Sequence, residues 1–305
     1  MLSRVADALY WMARYVERAE TAARILEVTR RFQVDIGELE PQAARAQWQR
    51  TARVLGFPED TPLEAAVLAH DVPGSVASLV FRARENARQV QEVISSEMWD
   101  YLNQTHWALT EAAQLRTKRE VLSGMLAEVI KAGFLWSGVA DATVDRGPSW
   151  QFIRLGQFVE RLDLTGRLCI EHWTPLSQQT AQLTPDNNVG WLTWLRACGS
   201  LEGYRKRYPT RLEPRRVLGF LVLDDTYPRS MRYSARAATR VAERLLVMAP
   251  ARGTEPARAF GKLASQIDFA DVDEILEVTP EAFLRAALNQ LNRATLETQR
   301  AYFLH

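Results

Sequence analysis

The feature that most constrains this chain is an unbroken apolar stripe near the N-terminus. Over residues 3–26 no proline or glycine occurs, and apolar residues recur at alternating intervals of four and three. The stripe consists of Val5, Leu9, Met12, Val16, Ala19, Ala23 and Leu26. Such spacing places all of them on one side of an α-helix. The sequence therefore predicts an N-terminal helix, with Ser3 as its N-cap, that packs against other helices.

The opposite side of this helix is also largely apolar, because it carries Trp11, Tyr15, Ala22 and Ile25. A helix with apolar residues around most of its circumference is normally buried among other helices. A buried charge without a partner costs several kcal/mol. We therefore expect the charged residues of this helix to form an ion-pair network; they are Glu17, Arg18, Glu20 and Arg24.

The pattern of the first helix returns at residues 150–169, where Glu160-Arg161 aligns with Glu17-Arg18. The identical positions in that register are Val16, Glu17, Arg18 and Arg24, which match Val159, Glu160, Arg161 and Arg167. A Pro-x-Ser motif follows each copy, once at residues 73–75 and once at residues 228–230. Two motifs that recur in the same order predict an internal repeat.

The predicted repeat divides the chain into residues 1–147 and residues 148–305, which we expect to pack as one compact unit. The boundary falls at Arg146-Gly147-Pro148, where glycine and proline break a helical run. The second half has the longer spacing between its motifs, and the polar segment 174–188 is predicted as an inserted loop.

Helical spacing continues along the rest of the chain. Residues 75–114 contain no proline or glycine, which fits either one long helix or two abutting helices. A further helix is predicted at about residues 118–144, and Thr279-Pro280-Glu281 opens the last one. Sustained strand alternation and Asn-Gly hairpins are absent. The sequence predicts an all-α fold, a helical bundle built from an internal duplication of a multi-helix unit.

Composition narrows the classes of function. A net charge of +1 gives no general attraction to nucleic acid or to an anionic membrane surface. No stretch approaches the about 18 uncharged apolar residues of a transmembrane helix. Cys169 lies on a predicted core stripe, which predicts a buried free thiol rather than a disulfide. The N-terminal apolar stretch is interrupted by charges, unlike a signal peptide, so we expect a cytoplasmic protein.

Known catalytic and cofactor motifs are absent from the sequence. None of the four histidines follows a glutamate by three residues, so the Glu-x-x-His motif of di-metal bundles is missing. The chain has no P-loop and no GxGxxG nucleotide motif. We therefore expect no metal and no cofactor, and the residues assign no reaction and no catalytic group.

The two Glu-Arg helices are the best candidate for a functional site. In one interpretation they cross near a pseudo-twofold axis and their ion pairs join the two halves. In the other, their side chains line a cleft that binds a carboxylate, a phosphate or a peptide end. The candidates on these helices are Trp11, Arg14, Glu17, Arg18, Glu20, Arg24, Glu160, Arg161, Asp163 and Arg167. Other polar clusters, which an ordinary solvated helix surface also explains, add Arg84, Glu85, Asn86, Arg88, Tyr204, Arg205, Arg229 and Ser230.

Many of these residues belong to motifs by which the chain resembles the alpha-E family, a helical domain named for its Glu-Arg motif and typically duplicated in tandem. The first motif comprises Leu2-Ser3-Arg4, Tyr10-Trp11-Met12 and Arg14-Tyr15-Val16-Glu17-Arg18-Ala19-Glu20. The others are Arg84-Glu85-Asn86-Ala87-Arg88, Glu97-Met98-Trp99 with Asn103, Gly156 with Val159-Glu160-Arg161 and Asp163, and Asp224 with Tyr227-Pro228-Arg229-Ser230. Together they cover nearly the whole chain. Val144 replaces a Met of the family pattern, and Gln157 stands where the first copy has Arg14, which leaves the second copy less basic.

The resemblance implies partners rather than a reaction. It implies association with an ATP-grasp amide ligase, and also with a transglutaminase-like protein and an NTN-hydrolase peptidase, in peptide synthesis or modification. We therefore expect an accessory or binding subunit of an ATP-grasp amide ligase. Two alternatives stay open: a catalytic component of that pathway, with a carboxylate or acyl-phosphate in the Glu-Arg cleft, and a stand-alone helical interaction protein.

Overall fold

The computed structural model describes residues 3–115, 119–178, 185–209 and 212–303. These residues form helices joined by loops, with no strand among them, so the predicted all-α class is confirmed. The helices are α1 (Ser3–Ile36), α2 (Pro41–Leu55), α3 (Leu63–Leu68), α4 (Val76–Arg88), α5 (Ser96–Gln114), α6 (Arg119–Thr143), α7 (Pro148–Gln178), α8 (Pro185–Ala197), α9 (Leu201–Arg207), α10 (Pro214–Leu223), α11 (Met231–Met248), α12 (Glu255–Asp268), α13 (Val272–Val278) and α14 (Pro280–Tyr302). Over these ranges, no helix combines the length and the apolar character needed to cross a lipid bilayer.

Helix α1 is buried on two opposite sides, as its sequence predicts. Leu9, Met12 and Leu26 on the apolar stripe are fully buried. Tyr10 and Ile25, which lie off that stripe, are buried as well. The helix continues beyond the predicted stretch to Ile36 and ends where Gly37 begins a turn.

The chain folds into two compact units. One spans Ala8–Gly156; the other joins the N-terminal residues up to Asp7 to the chain from Gln157 onward. Both α1 and α7 therefore begin in one unit and continue in the other. The predicted halves at residue 147 and the predicted internal duplication stay predictions.

Within the unit Ala8–Gly156, α4 packs on α5 and α5 packs on α6. Two glycines permit close approach to α1. A Cβ atom at Gly156 would lie 2.4 Å from the carbonyl oxygen of Tyr10. A Cβ atom at Gly133 in α6 would lie 2.7 Å from the Cβ atom of Glu20. Only glycine, which has no Cβ atom, fits these two positions without a shift of the neighbouring atoms.

In the other unit, α11 packs on α12 and α12 packs on α14. Arg232 on α11 holds the C-terminal ends of two neighbouring helices. Its guanidinium donates hydrogen bonds to the carbonyl oxygens of Leu223 (2.8 Å) and Ile267 (2.9 Å). These carbonyls have no partner within their own helices, and burying them without a hydrogen bond would cost free energy. The arginine supplies those hydrogen bonds.

The structure resolves one alternative and corrects one prediction. Residues 75–114 form two helices rather than one, because Ser95 caps α5 through a hydrogen bond from the Met98 N–H (3.3 Å). The predicted loop at 174–188 is wrong at both ends: α7 runs through Pro175 to Gln178 and α8 begins at Pro185. Residues 179–184 lie outside the described residues. The Trp173 and Trp191 rings are in contact, with centroids 5.9 Å apart, so these two helices bury apolar surface against each other.

Candidate functional site

The Glu-Arg motif on α1 carries charged side chains that are buried. Arg14, Glu17 and Glu20 are each less than one-tenth exposed. Arg18 and Arg24 are half-buried. The Arg24 guanidinium (Nη2) lies 2.5 Å from the Glu20 carboxylate (Oε2) and 3.2 Å from the Thr21 hydroxyl. Of the predicted network of Glu17, Arg18, Glu20 and Arg24, the structure thus contains the ion pair of Glu20 with Arg24.

The second Glu-Arg motif, on α7, shows the same local arrangement. Glu160 and Asp163 are buried. The Arg167 Nε atom lies 2.9 Å from the Asp163 carboxylate, at the same spacing of four residues as in the first motif. Arg161 donates to the Pro228 carbonyl oxygen (3.4 Å) and packs its guanidinium near the Phe158 ring. This motif therefore contacts the loop that contains Pro228.

The serines of the two Pro-x-Ser motifs also make matching contacts. Each hydroxyl accepts a hydrogen bond from the N–H three residues later: Ser78 to Ser75 (3.1 Å), and Tyr233 to Ser230 (3.0 Å). Each hydroxyl also donates to the carbonyl oxygen six residues earlier, that of Ala69 or Asp224. Both serines are thus N-caps that tie the helix start to the preceding loop. Ser230 has a structural contact, and the carbonyl oxygen of Arg229 accepts a hydrogen bond from Thr165 (3.2 Å).

Arg84 on α4 is the centre of a polar and aromatic cluster with α5. Its Nε donates to the Asn103 side-chain oxygen (2.8 Å), and its Nη1 donates to the Glu85 carboxylate (3.0 Å). Its guanidinium carbon lies 5.2 Å from the Trp99 ring centroid and 5.8 Å from that of Trp107. Two motifs that are separate in the sequence, one on each helix, therefore meet here.

Glu85 and Asn86 have further contacts on α4 itself. Glu85 also pairs with Arg88 (2.8 Å), and Asn86 donates to the carbonyl oxygen of Arg82 (2.8 Å). Glu85 thus accepts two guanidinium groups. Asn86 and Arg88 do not join the contacts that Arg84 makes with α5.

Four rings extend the Arg84 cluster, and the sequence reasoning missed all of them. The His106 ring lies 5.7 Å from His70, 5.8 Å from Phe81 and 5.2 Å from Trp107, between ring centroids. Phe81 is 42% exposed and Trp107 is 55% exposed, whereas His106 is buried. Burial lowers the pKa of His106, and electrostatic interaction with Arg84 and His70 lowers it further. The available signal was spacing: Trp99, Asn103 and Trp107 lie one helical turn apart.

We call the surface formed by Phe81, Arg84, Trp99, Asn103 and Trp107 the α4–α5 face. It lies wholly within the unit Ala8–Gly156. Its guanidinium is held by two hydrogen-bonding partners and two rings, so its orientation is fixed before any ligand arrives. Exposed aromatic rings beside a fixed arginine suit the binding of another protein.

A second arginine and aromatic cluster lies on α1. The Arg14 guanidinium carbon is 4.7 Å from the Trp11 ring centroid, and the Trp11 and Tyr15 rings are 5.6 Å apart. Arg82 on α4 lies 6.0 Å from the Tyr15 ring. The predicted residues Trp11 and Arg14 are therefore in contact, with Tyr15 beside them as the sequence suggests.

Tyr204 and Arg205 do not form a common site. The Tyr204 ring is buried against Tyr208 and Phe220, at centroid distances of 5.0 and 5.6 Å. Burial raises the pKa of Tyr204. Arg205 is exposed and lies 3.6 Å from Glu202. Tyr204 is thus a core residue, and Arg205 belongs to a solvated helix surface.

A groove of the same unit lies between α5 and α6 and measures about 480 Å³. Its walls are mostly apolar, and they include Tyr101, Leu109, Met125 and Leu135. A cavity of about 20 Å³ adjoins it, shares Tyr101 with it and is lined by Glu20. Among the described residues, no three His, Cys, Asp or Glu side chains are grouped so as to hold a metal ion.

Comparison with known proteins agrees with these features. Residues 1–303 match the family model Alpha-E, described as a predicted alpha-helical domain with a conserved ER motif. Uncharacterised proteins of Mycobacterium bovis and Mycobacterium tuberculosis are each 26% identical over 317 aligned residues. The match covers 94% of this chain and 34% of each relative, so the chain spans about a third of their length. No solved structure matches.

The family description fits the two Glu-Arg helices and the all-helical architecture. Both motifs lie on long helices, α1 and α7, and carry buried acidic residues. With nearly the whole chain matched, the chain belongs to the Alpha-E family.

Proposed function

We propose that this chain is an accessory binding subunit of an ATP-grasp amide ligase in a peptide synthesis or modification system, and that it binds the ligase through the α4–α5 face. The observation that carries the proposal is Arg84, fixed by Asn103 and Glu85 beside the exposed ring of Trp107. Tryptophan and arginine are the residues most enriched at interface positions that dominate binding energy.

Pre-organisation makes this surface suited to binding. A long side chain that becomes ordered on association costs about 0.5–1.5 kcal/mol. Arg84 avoids most of that cost, because its guanidinium is already held between α4 and α5. Phe81 and Trp107 supply apolar area that a partner buries, at about 25 cal/mol per Å² before the costs of association.

The Glu-Arg motifs favour a binding subunit over a catalytic one. The carboxylates of Glu20 and Asp163 are buried and paired with Arg24 and Arg167. A buried carboxylate that is already engaged by an arginine of its own helix has a structural partner. These side chains therefore suit the interior of a scaffold.

The length of the relatives supports the same proposal. In the mycobacterial proteins the matching segment makes up about a third of the chain. A helical segment that is joined to a much longer chain is well placed to act beside other domains. By the family resemblance, the ATP-grasp ligase is the first candidate partner, followed by a transglutaminase-like protein and an NTN-hydrolase peptidase.

The proposal is tested by measuring binding of the chain to an ATP-grasp amide ligase encoded in the same genome. We expect Trp107→Ala and Phe81→Ala to weaken binding at least about tenfold, which corresponds to about 1.4 kcal/mol. Phe269→Ala is the matched control, because Phe269 is an aromatic residue of the other unit and is 87% exposed.

Two outcomes contradict the proposal. Ligase binding that survives both α4–α5 variants at full strength removes this face from the interaction. A Glu17→Gln variant that binds the ligase normally but abolishes product formation assigns the chain a part in the reaction itself. Circular dichroism of each variant shows whether a loss merely reflects unfolding.

A further inference from the structure

The chain has two cysteines, and the fold brings both to the interface between α7 and α8. The His172 ring on α7 stacks on the Trp194 ring of α8, with centroids 6.1 Å apart. The neighbouring Trp173 meets Trp191 at 5.9 Å. The later residue on α7, Trp173, therefore meets the earlier residue on α8, Trp191, which indicates that the two helices run antiparallel.

From this register we infer that the two thiols face each other. Cys169 lies one turn before His172 on α7. Cys198 lies one turn after Trp194, and its N–H bonds to the Trp194 carbonyl oxygen (3.0 Å), so it continues the helical path. Both cysteines are buried and neither is in a disulfide. Electrostatic interaction between the two thiols agrees with this proximity.

We propose that Cys169 and Cys198 form a redox modification site, in which a small disulfide such as glutathione disulfide converts the two thiols into an intramolecular disulfide between α7 and α8. Such a bond forms between two thiols that already face each other in a packed interface, provided that the backbone allows Cα atoms within about 7 Å. Nothing else in the chain competes for the product, since these are the only two cysteines.

The order of reaction follows from the positions of the thiols. Burial raises the pKa of Cys169 well above its ordinary value, and the Cys198 thiol adds to this effect, which disfavours Cys169 as the thiolate that attacks first. Cys198 follows the last residue of α8 and precedes Gly199, which turns the chain at a φ of 64°. Local fraying of a helix end requires less energy than opening its middle. Cys198 therefore reacts first.

The step is a pair of thiol–disulfide exchanges. The Cys198 thiolate attacks one sulfur of glutathione disulfide, the S–S bond breaks, and one glutathione leaves as its thiolate. The departing glutathione thiolate takes up the proton of Cys169. The Cys169 thiolate then attacks the Cys198 sulfur and expels the second glutathione thiolate, which takes up the proton that Cys198 released. Two protein thiols are oxidised and one glutathione disulfide is reduced to two glutathione thiols.

The cross-link would join α8 covalently to the helix that carries the second Glu-Arg motif. Glu160 and Asp163 lie on α7, on the N-terminal side of Cys169. Oxidation would therefore restrain the end of α7 that lies beyond this motif.

The test incubates the folded full-length chain with glutathione disulfide and measures its intact mass and its remaining thiols after alkylation in denaturant. We expect both thiols to disappear and the mass to fall by about 2 Da, the two hydrogens that oxidation removes. Peptide mapping should join the peptides of Cys169 and Cys198. Reduction with dithiothreitol should restore both thiols.

The matched controls are Cys169→Ala and Cys198→Ala, because alanine keeps a small apolar side chain in the interface. Cys169→Ala should stop at a glutathione adduct on Cys198, and Cys198→Ala should react much more slowly. Three wild-type results overturn the proposal: both thiols stay reduced, each takes up its own glutathione, or the product is a dimer. Because the wild-type result decides, a control that fails to fold does not weaken the test.

Discussion

Gly133 offers a sharp test of how α6 approaches α1. In the interior of a helix, glycine normally costs stability, so Gly→Ala stabilises by about 0.5–1 kcal/mol. At Gly133, however, a new Cβ atom would lie 2.7 Å from the Cβ atom of Glu20 and 2.8 Å from its Cγ atom. Glu20 is buried and held by Arg24, so its side chain cannot simply turn away.

The structure gives the expected sign and size of the change in the free energy of unfolding. Forcing an extra methyl group into a well-packed interior costs about 1–3 kcal/mol. Set against the gain in helix propensity, Gly133→Ala should lower the free energy of unfolding by about 1 kcal/mol. Gly138→Ala is the matched control on the same helix, because a Cβ atom there meets no atom within 4 Å. It should raise the free energy of unfolding by about 0.5–1 kcal/mol.

Urea unfolding followed by circular dichroism measures both variants against the wild type. Midpoints that move in opposite directions support the close approach of α6 to Glu20. If Gly133→Ala is as stabilising as Gly138→Ala, α6 does not pass Glu20 at the distance described, and the argument is wrong. The ion pair of Glu20 with Arg24 supplies a second readout, because crowding at Gly133 should also weaken it.

Two further predictions concern titration and capping. His106 has a lowered pKa in the folded state through burial, Arg84 and His70, so the unfolded chain binds more protons in acid. Its contribution to the free energy of unfolding is present above the ordinary pKa of 6.5 and is lost as pH falls through that value toward the lower folded pKa. Between about pH 7.5 and about pH 5.5, the free energy of unfolding should therefore fall less for His106→Gln than for the wild type. Ser75→Ala and Ser230→Ala should each cost about 1–2 kcal/mol in thermal unfolding, because each removes an N-cap and a bond to a loop carbonyl; losses of a few tenths would show that these caps contribute little.

Local signals in the sequence predict much of the helical layout. Apolar spacing identifies α1, and Thr279-Pro280-Glu281 marks the start of α14. Prolines and capping serines mark helix starts because they act through their own backbone and near neighbours. For the same reason, the ion pair of Glu20 with Arg24 is predictable, since residues four apart share one helix face.

The rest depends on which helix faces meet, and a single sequence does not specify that. Arg84 and Asn103 lie on different helices, so their hydrogen bond follows from the packing of α4 on α5. Phe81 and Trp107 lie off the buried positions of their helices and are exposed. Adjacency in sequence groups Tyr204 with Arg205, yet adjacent residues on a helix point about 100° apart.

The predicted loop at 174–188 failed for a related reason. Proline and a polar composition are typical of a loop, but Trp173 is buried against Trp191 and extends α7 past Pro175. The apolar contact of two aromatic rings outweighs the hydrogen bond that proline removes. Composition indicates the local conformational preference of a segment, whereas packing against other helices decides its secondary structure in the folded protein.

The passage of α1 and α7 from one compact unit into the other bears on how the molecule melts. A helix propagates order along its own hydrogen bonds, so residues on both sides of each boundary gain or lose structure together. Neither unit can unfold completely without disrupting a helix that also belongs to the other unit. The continuous helices α1 and α7 thus favour cooperative unfolding, and a break in the middle of either helix would destabilise the helix on both sides of it.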